Sequence, residues 1–512
     1  MAAQTLHDLI QAGADEAPAL SSPGGVPLTY AALRALAART IADLNAHGVG
    51  RGDRVAIVLP NGPEMAACFL AVGAGTVSAP LNPAYKADEF RFYLTDLDAR
   101  LLIVAEGSET PAVAVANTLG VPVVRLRPTP EQGAGSFTLD VSGLAGNAGP
   151  VPESARGPAG PDEIGLVLHT SGTTSRPKIV PLKQSNVCAS ARNIRATLAF
   201  TAKDRGLNIM PLFHIHGLIA GILAPLSAGG QVSCTPGFNA LKFFGWMGEV
   251  RPTWYTAVPT MHQAILARAG RNRETIEANP LRFVRSSSSS MPPQVMRELE
   301  EAFGAPVLES YGMTEAAHQM ASNPLPPRPR HAGSVGLAAG PEIAVVDLDG
   351  DPVGPGEPGE IVIRGDNVMA GYENNERANA DAFTKSGWFR TGDQGVLSPE
   401  GYLSITGRLK EIINRGGEKI SPREVDEVLM DHPAVSQCVT FAVPHDKLGE
   451  DVAAAIVLRE GAEADERAIR SFAAEHLAAF KVPATVLILD EIPKGATGKL
   501  QRIGLAEKLG LG

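Results

Sequence analysis

Thr170-Ser171-Gly172-Thr173-Thr174-Ser175-Arg176-Pro177-Lys178 follows the apolar run Ile164-Gly165-Leu166-Val167-Leu168. Small hydroxylated residues around a glycine, ending in a lysine, let backbone N–H groups and hydroxyls close on a polyanion while an ammonium neutralises it. A buried strand that delivers such a turn points to an α/β chain handling a nucleotide triphosphate. The spacing departs from a Walker A loop, which needs two glycines four residues apart and a Lys-Ser/Thr ending, so a P-loop ATPase or kinase is a poor match. Taken alone, a Ser/Thr/Gly-rich turn after a strand is only a loop. The case rests on what surrounds it.

Upstream, residues 30–160 alternate helical patterns (30–47) with short apolar runs (54–59, 101–105), the rhythm of a βαβ parallel sheet. Residues 141–163, rich in Gly, Pro and Ser, read as a loop leading into the phosphate motif. Helix and strand alternate again to about residue 340. Over 343–405 the pattern changes to short strands with turns such as Gly350-Asp-Pro-Val-Gly-Pro-Gly356, the mark of a β-rich subdomain. Beyond Lys410 a compact α+β unit is expected, with helices over 422–430 and 466–480 and strands over 435–443, 451–458 and 486–490. The division expected is 1–408 for a large domain and 409–512 for a small one. There are no repeats.

A chain of 512 residues exceeds what one core usually holds. Its hydrophobic content of 44% and charged content of 20% are ordinary for a globular enzyme. The net charge of −10 argues against a nucleic-acid partner, since phosphate backbones call for basic faces. Anionic substrates must therefore be met by local cations. Cys68, Cys188, Cys234 and Cys438 show no metal spacing and read as buried free thiols in a reducing compartment. No apolar run is long enough to span a membrane, the first residues show no basic segment followed by an apolar core, and the last residues carry no Ser-Lys-Leu address. A cytoplasmic protein without membrane partners is expected.

Three further motifs carry chemistry. Glu309-Ser-Tyr311-Gly-Met-Thr314-Glu315 sets an aromatic, a glycine, a hydroxyl and a carboxylate together, suited to a purine face and a magnesium ion; alone it is equally a strand ending in a tight turn. Trp388-Phe-Arg-Thr-Gly-Asp393 is followed by Arg408 in Gly407-Arg408-Leu-Lys410, a carboxylate and a guanidinium of the kind that bind ribose hydroxyls. Pro493-Lys-Gly-Ala-Thr-Gly-Lys499 places a lysine on a glycine-containing loop, by itself an ordinary surface charge.

In order and spacing these four motifs resemble the adenylate-forming superfamily of acyl-CoA synthetases, luciferases and peptide-synthetase adenylation domains, over essentially the whole chain. The resemblance implies an α/β fold: a large N-terminal domain of stacked parallel-type sheets and helices with the β-rich subdomain, and a small α+β C-terminal lid turning about a hinge at Lys410. It implies two steps. A carboxylate attacks the α-phosphorus of ATP, releasing pyrophosphate, and the thiol of coenzyme A then displaces AMP. Catalysis is then positioning and charge stabilisation. By the same resemblance Thr170, Ser171, Gly172, Thr173, Thr174 and Lys178 wrap the β- and γ-phosphates and Tyr311 stacks on adenine, with Glu309 and Ser289 nearby. Thr314 meets the α-phosphate, Glu315 holds Mg²⁺, Asp393 and Arg408 take the ribose, and Lys499 bridges carboxylate and α-phosphate in the first step. Gly416, Gly417 and Lys419 would face the coenzyme A channel, where paired glycines allow close backbone approach, and His214 matches the residue that gates it.

The acid is suggested by His169-Thr-Ser-Gly-Thr-Thr-Ser-Arg-Pro-Lys178, Pro211-Leu-Phe-His-Ile-His-Gly217 and Thr314-Glu-Ala-Ala-His318-Gln-Met-Ala-Ser-Asn-Pro-Leu-Pro326, which look closest to oxalate–CoA ligases of this superfamily, and Trp254-Tyr-Thr-Ala-Val-Pro-Thr260 and Asn414-Arg-Gly-Gly-Glu-Lys-Ile-Ser-Pro422 agree. A short diacid leaves a second carboxylate in the pocket, and a buried anion needs donors or positive charge. The serine run 286–290, above all Ser288 and Ser289, and His318 and His214 are placed to supply them, with Trp254 and Tyr255 shortening the pocket. A packing role for these serines and for His318 stays open. So do a ligase for malonate or a fatty acid, a carrier-protein adenylating enzyme and a non-catalytic nucleotide binder. A monomer or homodimer acting on small molecules is expected.

Overall fold

A computed structural model describes residues 2–144, 150–170, 177–493 and 500–512. Two large sheets dominate. The seven-stranded sheet runs through Leu101–Ala105, Arg54–Val58, Val77–Pro80 and Ile164–Thr170, parallel at its centre and closed by antiparallel edge strands Phe137–Asp140 and Lys178–Lys183. The nine-stranded sheet carries the parallel set Arg205–Asn208, Trp254–Ala257, Phe283–Ser287 and Val307–Met313, to which His318–Ser322 pairs antiparallel.

Helices Pro63–Gly73 and Gln184–Thr197 each touch both sheets and are buried between them. Pro63-Glu-Met-Ala-Ala-Cys-Phe-Leu-Ala-Val-Gly73 is apolar almost all round, as a helix with no solvent face must be. Proline opens it at the first helical position, where its missing N–H costs nothing and its fixed φ fits. The α/β class expected from periodicity is the class observed, and all four cysteines are free and buried.

Strands Glu342–Val346, Gly359–Arg364, Phe389–Leu397 and Leu403–Arg408 form a separate antiparallel sheet. The C-terminal unit is smaller. Its sheet pairs Val435–His445 with Gly449–Leu458, adds Thr485–Ile488 in parallel, and carries the hairpin Ile413–Arg415 with Glu418–Ile420. Helix Pro422–Met430 starts on Ser421, whose hydroxyl accepts from the Glu424 N–H, with proline again at the first position. It ties the two parts together: Arg423 donates to the carbonyls of Ile405 at 2.6 Å and Gly333 at 3.3 Å.

One helix is shorter than expected. The segment 466–480 is helical only as Glu466–His476. Leu477 is extended, and a short 3-10 turn follows at Ala479–Lys481, which lets Leu477, Phe480 and Val482 all pack on the core containing Val486.

Candidate active site

Strand Val307–Met313 passes through the turn Thr314–Ala316 and returns as His318–Ser322, so one hairpin carries Glu309, Tyr311, Thr314, Glu315 and His318. Gly312 is required there: a Cβ would lie 1.8 Å from the His318 carbonyl oxygen. Tyr311 is buried and donates its hydroxyl to Asp393 Oδ2, while Arg408 Nε donates to Asp393 Oδ1 at 2.9 Å. Asp393 and Arg408 are direct cross-strand partners, so their spacing in the sequence is that of a hairpin register. Burial, and then the charge of Asp393, push the Tyr311 phenol far above its usual range.

Glu315 is buried, and its Oε1 accepts from the Tyr372 hydroxyl at 2.8 Å. The Lys178 ammonium lies over the Tyr372 ring, 3.9 Å from its centroid. Burial lowers the Lys178 pKa, Glu315 opposes this, and Lys410 adds to it, which places all three charges in one neighbourhood. Tyr372 belongs to no motif read from the sequence. Thr314 is half-buried, and Thr170 closes strand Ile164–Thr170 with a buried hydroxyl that has no partner among the described residues. Ser171, Gly172, Thr173, Thr174 and Lys499 lie outside the described residues. Among the described residues no cluster of three or more His, Cys, Asp or Glu forms a metal site. A single carboxylate such as Glu315 nonetheless suits Mg²⁺ when substrate phosphates and water fill its other positions.

Beside this corner lies a different cluster. Arg285, in the middle of strand Phe283–Ser287, is completely buried. Its Nη1 lies 3.2 Å from His216 Nε2 and 3.4 Å from Thr256 Oγ1, and its Nη2 lies 3.1 Å from His318 Nε2 and 3.4 Å from Gln319 Oε1. The His216 and His318 rings stack at 4.9 Å and 19°. His216 Nδ1 is 3.1 Å from Ser288 Oγ, and Thr256 Oγ1 is 2.6 Å from His216 Nε2. No carboxylate contacts the guanidinium among the described residues. Burial lowers its pKa to about 9, which leaves it protonated at neutral pH.

The register explains why Arg285 stands without an acid. On the neighbouring strand Arg285 pairs with Leu308 and Ser286 with Glu309, so Arg285 and Glu309 point to opposite faces of the sheet. Glu309 instead accepts from the Met291 N–H at 2.9 Å, and burial raises its pKa to about 7. Three non-glycine residues around the cluster take left-handed backbone: Ser288 at φ 76°, Ala317 at 46° and His318 at 98°. At Ser288 this ends the strand alternation, and the side chain meets His216.

The serine run does not act as a unit. Ser286 is buried, its hydroxyl without a partner among the described residues, Ser287 donates to the Ser310 carbonyl, Ser288 is half-buried, and Ser289 and Ser290 are exposed. Trp254 and Tyr255 are core residues. Trp254 packs on Phe200 and Phe283, Tyr255 on Phe243, and it is Thr256 that reaches the cluster. His214 is half-buried, and its Nδ1 accepts from the His216 N–H. His216, Thr256, Arg285 and Gln319 were not singled out in the sequence. The available signal was an arginine within Leu281-Arg-Phe-Val-Arg285, directly after Phe283 and Val284 at strand length.

Gly416 and Gly417 have φ of 60° and 98° and form the two-residue turn of a hairpin, Arg415 pairing with Glu418. Positive φ at both central residues is what such a turn requires, so the glycines have a backbone reason of their own. Lys419 is exposed on the second strand.

The chain matches the AMP-binding enzyme family model over residues 10–373 and that of the AMP-binding enzyme C-terminal domain over residues 424–499. It is 46% identical to an oxalate–CoA ligase of Arabidopsis thaliana, aligned over 98% of both chains. It is 41% identical to an oxalate–CoA ligase of Saccharomyces cerevisiae, over 90% of this chain and 87% of the relative. The ATP-bound structure of MatB from Rhodopseudomonas palustris superposes with a TM-score of 0.88 at 30% identity, covering 99% of this chain and 98% of that one.

Proposed function

The chain belongs to the family of AMP-binding enzymes, and from that premise we propose that it joins oxalate to coenzyme A through an oxalyl adenylate. It is an AMP-forming acid–CoA ligase with ATP and coenzyme A as co-substrates. An oxalate carboxylate oxygen attacks the α-phosphorus, pyrophosphate leaves, and the thiol sulfur of coenzyme A then attacks the acyl carbonyl carbon and expels AMP.

The roles follow the site. Thr170, Ser171, Gly172, Thr173, Thr174 and Lys178 hold the β- and γ-phosphates; the unpartnered Thr170 hydroxyl and the half-buried Lys178 ammonium support this. Tyr311, with Glu309 and Ser289 near it, takes the adenine, and Asp393 with Arg408 the ribose. Thr314 meets the α-phosphate. Mg²⁺, held by Glu315 and the phosphates, would supply charge neutralisation on the leaving group. Lys499 bridges the attacking carboxylate and α-phosphate. Residues 409–512 act as a lid about Lys410, and Gly416, Gly417 and Lys419 line the coenzyme A path, gated by His214. The four buried free thiols fit a cytoplasmic enzyme, and a monomer or homodimer suffices.

The observation that carries the acid is the wall formed by His318, His216 and Ser288 around a guanidinium with no carboxylate partner. An alkyl or aryl acid would bring no negative charge to the buried Arg285 guanidinium, whereas a second carboxylate does and can accept from the Ser288 hydroxyl. Likeness to two oxalate–CoA ligases agrees. The test is AMP formation with ATP, Mg²⁺ and coenzyme A, comparing oxalate with malonate, acetate, hexanoate and 4-coumarate. Oxalate should lead by about a hundredfold or more in kcat/KM; a lead by any other acid overturns the assignment of oxalate while leaving the ligase chemistry in place.

A further inference from the structure

A guanidinium donates hydrogen bonds and accepts none. Arg285 Nη1 and Nη2 lie at hydrogen-bond distance from the Nε2 atoms of His216 and His318, so both of those nitrogens must accept. Each ring is therefore neutral and carries its proton on Nδ1. The Thr256 hydroxyl, 2.6 Å from His216 Nε2, shares that nitrogen's single lone pair with the Arg285 N–H. Two stacked imidazolium rings beside a buried guanidinium would place three like charges together, which a low-dielectric interior opposes.

The consequence reaches Ser288. With the His216 proton on Nδ1, that N–H donates to Ser288 Oγ across 3.1 Å. The serine hydroxyl then accepts from the histidine, and its own proton is directed elsewhere. Arg285 itself is completely buried, and its terminal nitrogens are engaged by two histidines, a threonine and a glutamine. It acts through them.

We infer that Arg285 is a positioning residue for the acid: it pins His216 and His318 as neutral, Nδ1-protonated rings, so that Ser288 offers its hydroxyl proton, with the guanidinium charge behind it, to the far carboxylate of a short diacid. This rests on the proposed acid substrate, and it adds the reason a monoacid is rejected. A neutral aldehyde in place of the second carboxylate, as in glyoxylate, gains the hydrogen bond but not the attraction of the buried cation. Apolar surroundings alone would not retain an arginine here, since a well-packed apolar side chain is usually at least as stable as a buried charge.

The test combines spectroscopy with kinetics. In the full-length protein with ¹⁵N-labelled histidine, resonances assigned by H216Q and H318Q should show Nε2 unprotonated and Nδ1 protonated for both rings at neutral pH. In R285M at least one ring should change tautomer or become protonated. R285M should raise KM for oxalate by about a hundredfold with a smaller fall in kcat, and reduce the preference for oxalate over glyoxylate by at least about tenfold; R285K should recover part of that preference. Nε2-protonated rings in the wild-type protein overturn the inference, whether or not the variants fold. An equal loss for oxalate and glyoxylate also overturns it, as the mark of a merely structural role. If wild-type protein prefers another acid, oxalate is wrong. R285M is then compared on that acid and its monoacid analogue: selective loss for a diacid sustains the role of Arg285, and a monoacid preference ends it.

Discussion

The corner around Asp393 and the wall around Arg285 meet on one hairpin, yet they treat charge in opposite ways. In the first, every ionised group faces its complement: Asp393 meets Arg408 and the Tyr311 hydroxyl, and Glu315 meets the Tyr372 hydroxyl with Lys178 beside it. In the second, a fully buried cation meets histidine, threonine and glutamine side chains and, among the described residues, no carboxylate. Around Asp393 the paired charges suit the hydroxyls of the proposed ribose, and the Lys178–Glu315 side suits the proposed phosphates with their Mg²⁺. An uncompensated wall suits an anion. The difference is the physical basis for assigning nucleotide to one and acid to the other.

The comparison can be strained at several points. Lys499→Ala removes the one cation proposed to serve both regions at once, and adenylation should slow by about 10²–10³, or roughly 3–4 kcal/mol, while thioester formation from supplied oxalyl adenylate changes far less. Pyrophosphate release and single-turnover thioesterification measure the two separately.

Glu309 is the sheet's other misfit charge, an acid with a pKa raised by burial to about 7 from 4.5. The folded state holds this proton more tightly than the unfolded state does. Stability should therefore fall as pH rises from 4.5 to about 7, by roughly 3 kcal/mol from this group, and level off above. Denaturation midpoints across that range should show the slope, and Glu309→Gln should flatten it; an unchanged slope would remove Glu309 from the account.

Gly312→Ala tests the hairpin that joins the regions. Its Cβ would meet the His318 carbonyl, so stability should drop by about 1–3 kcal/mol in urea, with KM rising for oxalate as well as for ATP. A rise for ATP alone would show that the two sides are not mechanically coupled there. Asp393→Asn should have the smallest effect. Arg408 is 47% exposed, so solvent screens much of the pair, and KM for ATP should rise only about fivefold to tenfold, near 1 kcal/mol, without altering acid preference.

Much was legible in advance. Apolar runs at strand length, separated by amphipathic helices, marked the α/β class, and the helix Pro422–Met430 announced itself by Ser421 and Pro422. Asp393 and Arg408 stood out as a carboxylate and a guanidinium suited to ribose hydroxyls, and the structure adds that they are cross-strand partners. The helix end at His476 was not legible, because Leu477 leaves helical geometry to pack on a core assembled from distant residues. Nor was Tyr372, which reaches Glu315 from a segment 57 positions away.

The acid wall shows the division most clearly. The motifs, through the family resemblance they carry, pointed to a nucleotide triphosphate, and the sequence by itself offered polar side chains at residues 286–290 and His318. They did not determine that Ser288 meets His216, or that Arg285 is the charge at the centre. Tertiary structure decided that through register: Arg285 lies opposite Leu308 and Ser286 opposite Glu309. Side chains alternate with a period of two along a strand, so a slip of one residue would bring Arg285 and Glu309 to the same face and cancel the charge. Such a slip leaves every residue of the sequence unchanged, and only the paired strands distinguish the two outcomes.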